Sequence, residues 1–145
     1  MISFVEKSIA LLERFPLCVL QFLFRFTIAD VFWNAGQSKL ASWQPTVALF
    51  ADEYRVPILP PELAATMAAT IELTCPVLLV LGLATRLATL PMLGMTFVIE
   101  AFVYPDLWLI HLTWATTLLF ILTRGPGPIS LDHFLTRAYL RRSAA

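Results

Sequence analysis

Charge is scarce in this chain. Only 14% of its 145 residues are Asp, Glu, Lys or Arg, and they sum to a net charge of zero. Soluble domains carry roughly a quarter, so there is too little charge here to cover a water-exposed surface. No basic block is present to engage a nucleic acid, and no nucleic-acid partner is expected. Cysteine is nearly absent. Cys18 and Cys75 lie far apart in apolar stretches and belong to no CxxC pair, which reads as two small buried side chains. His111 and His133 stand alone, so no metal-ligand spacing exists. Haem-ligand pairs, iron–sulfur spacings and nucleotide motifs are missing too, and no covalently held cofactor is expected. Residues 1–15 lack the basic start, unbroken apolar stretch and small-residue cleavage site of a signal peptide, so none is expected.

What the chain has instead is apolar length. Hydrophobic residues make up 59%, and the mean hydropathy is +0.78. The pattern predicts an all-α integral membrane protein: one domain over residues 1–145, a four-helix bundle with interfacial amphipathic segments at both ends. Spans are expected at about 17–40, 62–83, 87–104 and 107–123, each long enough for a hydrocarbon core of ~30 Å. Ile2, Val5, Ile9 and Leu12 recur at helical spacing before Pro16, marking a short helix lying in the membrane interface. Residues 41–61 are long for a structureless loop. Trp43, Val47, Phe50 and Tyr54 fall on one helical face there, predicting a short helix across the mouth of the bundle. Ala64, Ala65, Ala68 and Ala69 allow a neighbouring helix close to span two. Pro76 removes a donor from the Glu72 carbonyl, so a kink is expected beside that carboxylate. Gly125-Pro126-Gly127-Pro128 ends the last span, and a tail at 124–145 closes with Arg137, Arg141 and Arg142, suited to an anionic membrane surface. Basic residues concentrate on the side carrying the termini, which places both termini in the cytoplasm.

The stretch Arg25–Lys39, RFTIADVFWNAGQSK, sets the functional question. A charge at the bilayer centre costs ~3 kcal/mol or more and normally faces a bundle interior. Arg25, Asp30, Asn34, Gln37 and Lys39 therefore need partners, and Glu72, Glu100 and His111 offer one on each later span. Depth arithmetic at 1.5 Å per residue puts Arg25 and Glu72 both near mid-membrane, predicting a pair between them, with Asp30 a competitor. Lys39, Gln37, Asn34, Glu100 and His111 belong to the outer half. Glu100 can be satisfied by Lys39 or by His111. Two readings of these groups stay open: ion pairs that only fix helix register, or a polar pocket opening outward, lined by Phe32, Trp33 and Trp114, that takes a flat polar or redox-active molecule.

The order of four landmarks resembles the DoxX family of small bacterial membrane proteins. They are Arg25 with Gly36-Gln37-Ser38-Lys39-Leu40; Glu72 with Leu79-Val80-Leu81-Gly82-Leu83-Ala84-Thr85-Arg86; Val103-Tyr104-Pro105 with His111 and Trp114; and Gly125-Pro126-Gly127-Pro128-Ile129-Ser130-Leu131-Asp132. The family commonly has an amide where this chain has Glu100. The resemblance implies a four-helix bundle in a bacterial inner membrane, similar to subunits linked with thiosulfate or quinol oxidation and to membrane partners of soluble redox or thiol-stress proteins. The expected function is a membrane subunit of a redox, sulfur-metabolism or oxidative-stress system that binds a quinone or similar small molecule. If it is an enzyme, it is a quinone-linked oxidoreductase subunit. Its candidate cluster is Arg25, Asp30, Asn34, Gln37, Lys39, Glu72, Glu100, His111 and Trp114. Expected partners are the lipid membrane and a soluble or membrane redox protein, and a homo-oligomer is compatible with the sequence. The alternative is a non-catalytic anchor or scaffold for a soluble partner. A small transporter ranks third, because no internal repeat is visible.

Overall fold

A computed structural model describes residues 2–143, with side chains described from 4 to 141. Every regular element among these residues is helical. Helix α1 (Ile2–Glu13) precedes the break at Pro16, and α2 (Leu17–Ala41) makes the first crossing. Helix α3 (Trp43–Leu49) runs into a π-helical turn at Phe50–Tyr54. Helix α4 (Pro61–Leu81) returns, continuing through Pro76. Helix α5 (Thr85–Val98) extends into a second π-helical turn at Ile99–Val103. A 3₁₀ turn at Pro105–Leu107 leads to α6 (Trp108–Arg124), and α7 (Leu131–Ser143) lies after the Gly-Pro tail. Four of these stretches, Leu17–Ala41, Pro61–Leu81, Thr85–Val103 and Pro105–Arg124, are long and apolar enough to cross a membrane. Four crossings leave both termini at one end of the bundle and put α3 at the other.

Helices α2 and α4 form the most extensive pair, with α5 and α6 packed beside them. One apolar core runs down their centre through Ile28, Phe32, Leu79, Met92, Leu118 and Ile121. A smaller core lies under the roof at the far end. There the alanine face of α4 is buried as its small side chains suggest, with Ala64, Ala65 and Ala68 against Phe50. Trp43, Val47 and Tyr54 complete it, so the segment after α2 is a packed lid and not a free loop. At Gly36 α2 and α4 lie close together: a Cβ there would stand 2.9 Å from the Cβ of Glu72.

The terminal end is fastened by a polar latch. Arg25 is fully buried and donates to the main-chain carbonyls of Leu79 (2.7 Å) and Val80 (3.3 Å), and to that of Ile129 in the tail. These carbonyls belong to the last turn of α4, where helical donors run out, and to the chain after α6; that of Leu79 also accepts from the Gly82 N–H at 3.1 Å. Asp132 accepts from the main-chain N–H groups of Ala84 (2.7 Å) and Thr85 (2.9 Å), capping α5 from a distance, while its own N–H donates to the Gly82 carbonyl at 2.8 Å. Gly82 holds φ +68°, and a Cβ there would fall on Ser130 and the Arg25 guanidinium. Both its conformation and its space require glycine.

The expected Arg25–Glu72 pair does not form. The arithmetic set the ends of α2 and α4 level, whereas the first turns of α2 project beyond α4 to meet the tail, with Gln21 donating to the Gly125 carbonyl at 3.4 Å. That stagger lets the Arg25 guanidinium reach the Leu79 carbonyl and leaves Gly36, about 16 Å further along α2, beside Glu72.

Candidate functional site

Between α2, α4, α5 and α6, under the roof, lies a cavity of about 640 Å³. Its walls are mostly apolar and aromatic, with Phe32, Phe50, Tyr54 and Trp114 among them, and two polar pairs enter it. On one side Lys39 Nζ donates to Glu72 Oε1 at 2.7 Å. The pair exists because Lys39 sits one turn beyond the close approach at Gly36, so its long stem reaches back to the buried carboxylate. Glu72 Oε2 is buried and has no hydrogen-bond partner among the described residues. A lone acceptor of this kind is costly unless a donor is supplied.

On the other side His111 Nδ1 and Glu100 Oε2 are 2.6 Å apart. His111 is buried and lines the cavity, whereas Glu100 is about a third exposed. The imidazole ring meets Trp114 edge-on at 5.2 Å, and Trp114 meets Phe32 at 5.7 Å, a row of rings across the bundle. Of the two partners the sequence left open for Glu100, the structure brings it His111. Helix α5 presents Pro91 and Gly94 to the same space, and a Cβ on Gly94 would meet nothing within 4 Å.

The roof adds residues that sequence reasoning did not assign to the site. Tyr104 hydroxyl lies 3.1 Å from Glu53 Oε1 and 3.4 Å from the Tyr54 hydroxyl, and the two tyrosine rings stack edge to face at 5.6 Å. Burial, then the hydrogen bond with Tyr104, pushes the Tyr54 phenol above its ordinary range, so it stays protonated. The signs in the sequence were the helical face shared by Trp43, Val47, Phe50 and Tyr54, and the Val103-Tyr104-Pro105 landmark.

The nine candidate residues separate into three places. Lys39, Glu72, His111 and Trp114 line the cavity, with Glu100 joined to it through His111. Arg25 belongs to the latch at the opposite end. Asp30, Asn34 and Gln37 are exposed on the outer side of α2, and so is Trp33, which was expected as a pocket wall. Cys18 and Cys75 are both free thiols. Among the described residues no three His, Cys, Asp or Glu side chains converge to hold a metal.

Four membrane-length helices around a cavity of about 640 Å³, lined in part by Lys39, Glu72 and His111, define a multi-pass membrane protein. The DoxX family model matches residues 20–105, more than half of the chain, and the protein belongs to that family. The match includes Lys39, Glu72, Glu100 and the roof, and stops short of His111, Trp114 and the tail latch. No curated protein and no solved structure matches the chain.

Proposed function

We propose that this protein is a membrane subunit of a redox system and binds a quinone or similar lipid-soluble aromatic molecule in the roofed cavity. The observation carrying this reading is the buried, unpartnered Glu72 Oε2 on a carboxylate that lines a largely apolar space of about 640 Å³. The volume suits a small-molecule ligand. Aromatic walls suit a flat ring, and the polar pairs suit its oxygens: the Lys39 ammonium and the His111 ring can donate to a carbonyl oxygen, while Glu72 can accept from a hydroxyl. A bound quinone would supply two-electron, two-proton chemistry. His111, hydrogen-bonded to a carboxylate that reaches the exterior, is placed to pass a proton between the cavity and the surface. Electrons would come from a partner protein, soluble or membrane-bound.

In this reading the protein lies in a bacterial inner membrane with both termini cytoplasmic. Lys7, Arg14, Arg86, Arg124, Arg137 and Arg141 gather at the terminal end, against Lys39 and Arg55 at the roofed end. The roof then faces the periplasm.

The test is native mass spectrometry with lipid extraction on gently purified protein, comparing wild type with Glu72→Gln and His111→Ala variants of matched thermal stability. The expected result is a bound quinone or related aromatic lipid in wild type, depleted in both variants. A wild-type cavity that never carries or takes up such a molecule overturns the reading. A second reading has its own observation: α7 leaves Phe134, Leu135 and Leu140 exposed beside Arg137 and Arg141. If the protein is instead a scaffold, removing residues 134–145 releases a co-purifying protein and leaves cavity occupancy unchanged.

A further inference from the structure

The outward face of α2 carries a row of polar side chains that nothing in the bundle covers. Asp30, Asn34 and Gln37 follow one another at helical spacing and are all exposed, on the side of α2 away from the buried Arg25, Ile28, Phe32 and Gly36. Asp30 lies about 20 Å along a helix about 37 Å long, at mid-depth in a membrane crossing. Its carboxylate has no partner among the described residues. Asn34 Nδ2 donates to the Asp30 main-chain carbonyl at 2.9 Å, which leaves its amide oxygen and one N–H unused, and the Gln37 amide is unbonded. Acyl chains offer neither donors nor acceptors, so polar groups at this depth face protein or water-filled space. Beside the row, a groove of about 270 Å³ opens between α2 and α4, bounded by Asp30, Trp33, Pro76 and Val77.

We infer that this face is the contact between two copies of this chain. Two copies inserted in the same direction and related by a two-fold axis along the membrane normal place their α2 helices parallel. Residues of equal number then meet at equal depth. The row is complementary to itself under that operation. Amides both donate and accept, and the free Asn34 N–H of each copy can donate to the Asp30 carboxylate oxygen of the other. A different membrane protein would need its own polar residues at the same three depths, whereas a second copy supplies them by construction. The adjacent groove gives the exposed Trp33 rings space to interlock. This contact lies on the face of α2 away from the cavity and stands or falls independently of what the cavity holds.

The experiment is single-molecule photobleaching of the full-length protein in lipid vesicles, counting copies per complex as the protein-to-lipid ratio is varied. Wild type is expected to dimerise. The combined Asp30→Leu, Asn34→Leu, Gln37→Leu variant is expected to dimerise at least tenfold more weakly, the equivalent of about 1.4 kcal/mol, with helix content and melting temperature retained. Disulfide cross-linking gives a second readout in a Cys18→Ser, Cys75→Ser background. Asn34→Cys should join two copies, and Leu112→Cys, on exposed α6, should not. Monomeric wild type, or a folded triple variant that dimerises undiminished, overturns the inference. So does Asn34→Cys that fails to join copies or captures a different membrane protein. Should the triple variant not fold, the cross-linking result decides.

Discussion

At the scale of single residues, the Lys39–Glu72 pair gives a buried carboxylate a partner, and such a pair is expected to add little net stability. Desolvating both ions offsets most of their attraction, but removing one leaves the other uncompensated at a cost of about 3–5 kcal/mol. Lys39→Met and Glu72→Leu should therefore each lower the melting temperature sharply, and the double variant should recover most of the loss. Thermal unfolding in one detergent measures the cycle. If the double variant folds as well as wild type yet retains no aromatic lipid, the pair is there for binding and not for the fold. Gly94 permits the converse test, since a side chain there projects into open space. Gly94→Ala should raise stability by about 0.5–1 kcal/mol through helix propensity. Gly94→Trp should fold while reducing cavity occupancy at least tenfold, about 1.4 kcal/mol of binding free energy. Extraction and quantification of bound lipid reads it.

At the scale of elements, two joints hold the bundle's ends. The latch is built from α2, the end of α4, the start of α5 and the tail, and it explains why a buried arginine stands on the first crossing. Its guanidinium spans carbonyls on two chain segments that a lysine's single ammonium cannot bridge together. Arg25→Lys should lower stability by about 1.5–3 kcal/mol, the range for a hydrogen bond to a charged group. It should also speed proteolysis within residues 125–131, with α5 and α6 unaffected until global unfolding. Gly82→Ala should disrupt the same joint, since it combines a left-handed backbone with a collision against Ser130 and Arg25. At the other end the two π-helical turns, Phe50–Tyr54 and Ile99–Val103, stand opposite one another and bring Tyr54 to Tyr104. Such turns shift helical phase by a residue and are frequent at functional sites.

At the scale of the whole molecule, polar groups divide among three zones: a latch at the terminal end, a roofed cavity at the other, and an outward row on α2. Helical phase within α2 already sets Asp30, Asn34 and Gln37 on a different side from Arg25, Gly36 and Lys39, but the chain gives no rotation between helices, so which side met a neighbour was not legible. The four crossings and the lid were legible in apolar length, in Pro and Gly breaks and in the helical spacing of residues 43–54, whereas the alanine face of α4 packs under that lid, against Phe50. That Glu72 and His111 turn inward and find partners was legible because an ionisable group in an apolar span must be satisfied. Arg25 was misplaced because the first eight residues of α2, about 12 Å of helix, project past the end of α4 to dock against the tail.

What the sequence by itself determined, then, is the class of molecule. Scarce charge, long apolar helices and their breaks leave a membrane-spanning helical bundle as the remaining solution, since every backbone polar group must be satisfied within the lipid. The tertiary structure decided which polar group meets which. Lys39 takes Glu72, His111 takes Glu100, Arg25 takes three carbonyls, and Asp30 is left facing outward. Those pairings depend on helix rotation, stagger and two π-helical turns, quantities set by side-chain packing between segments distant in the chain.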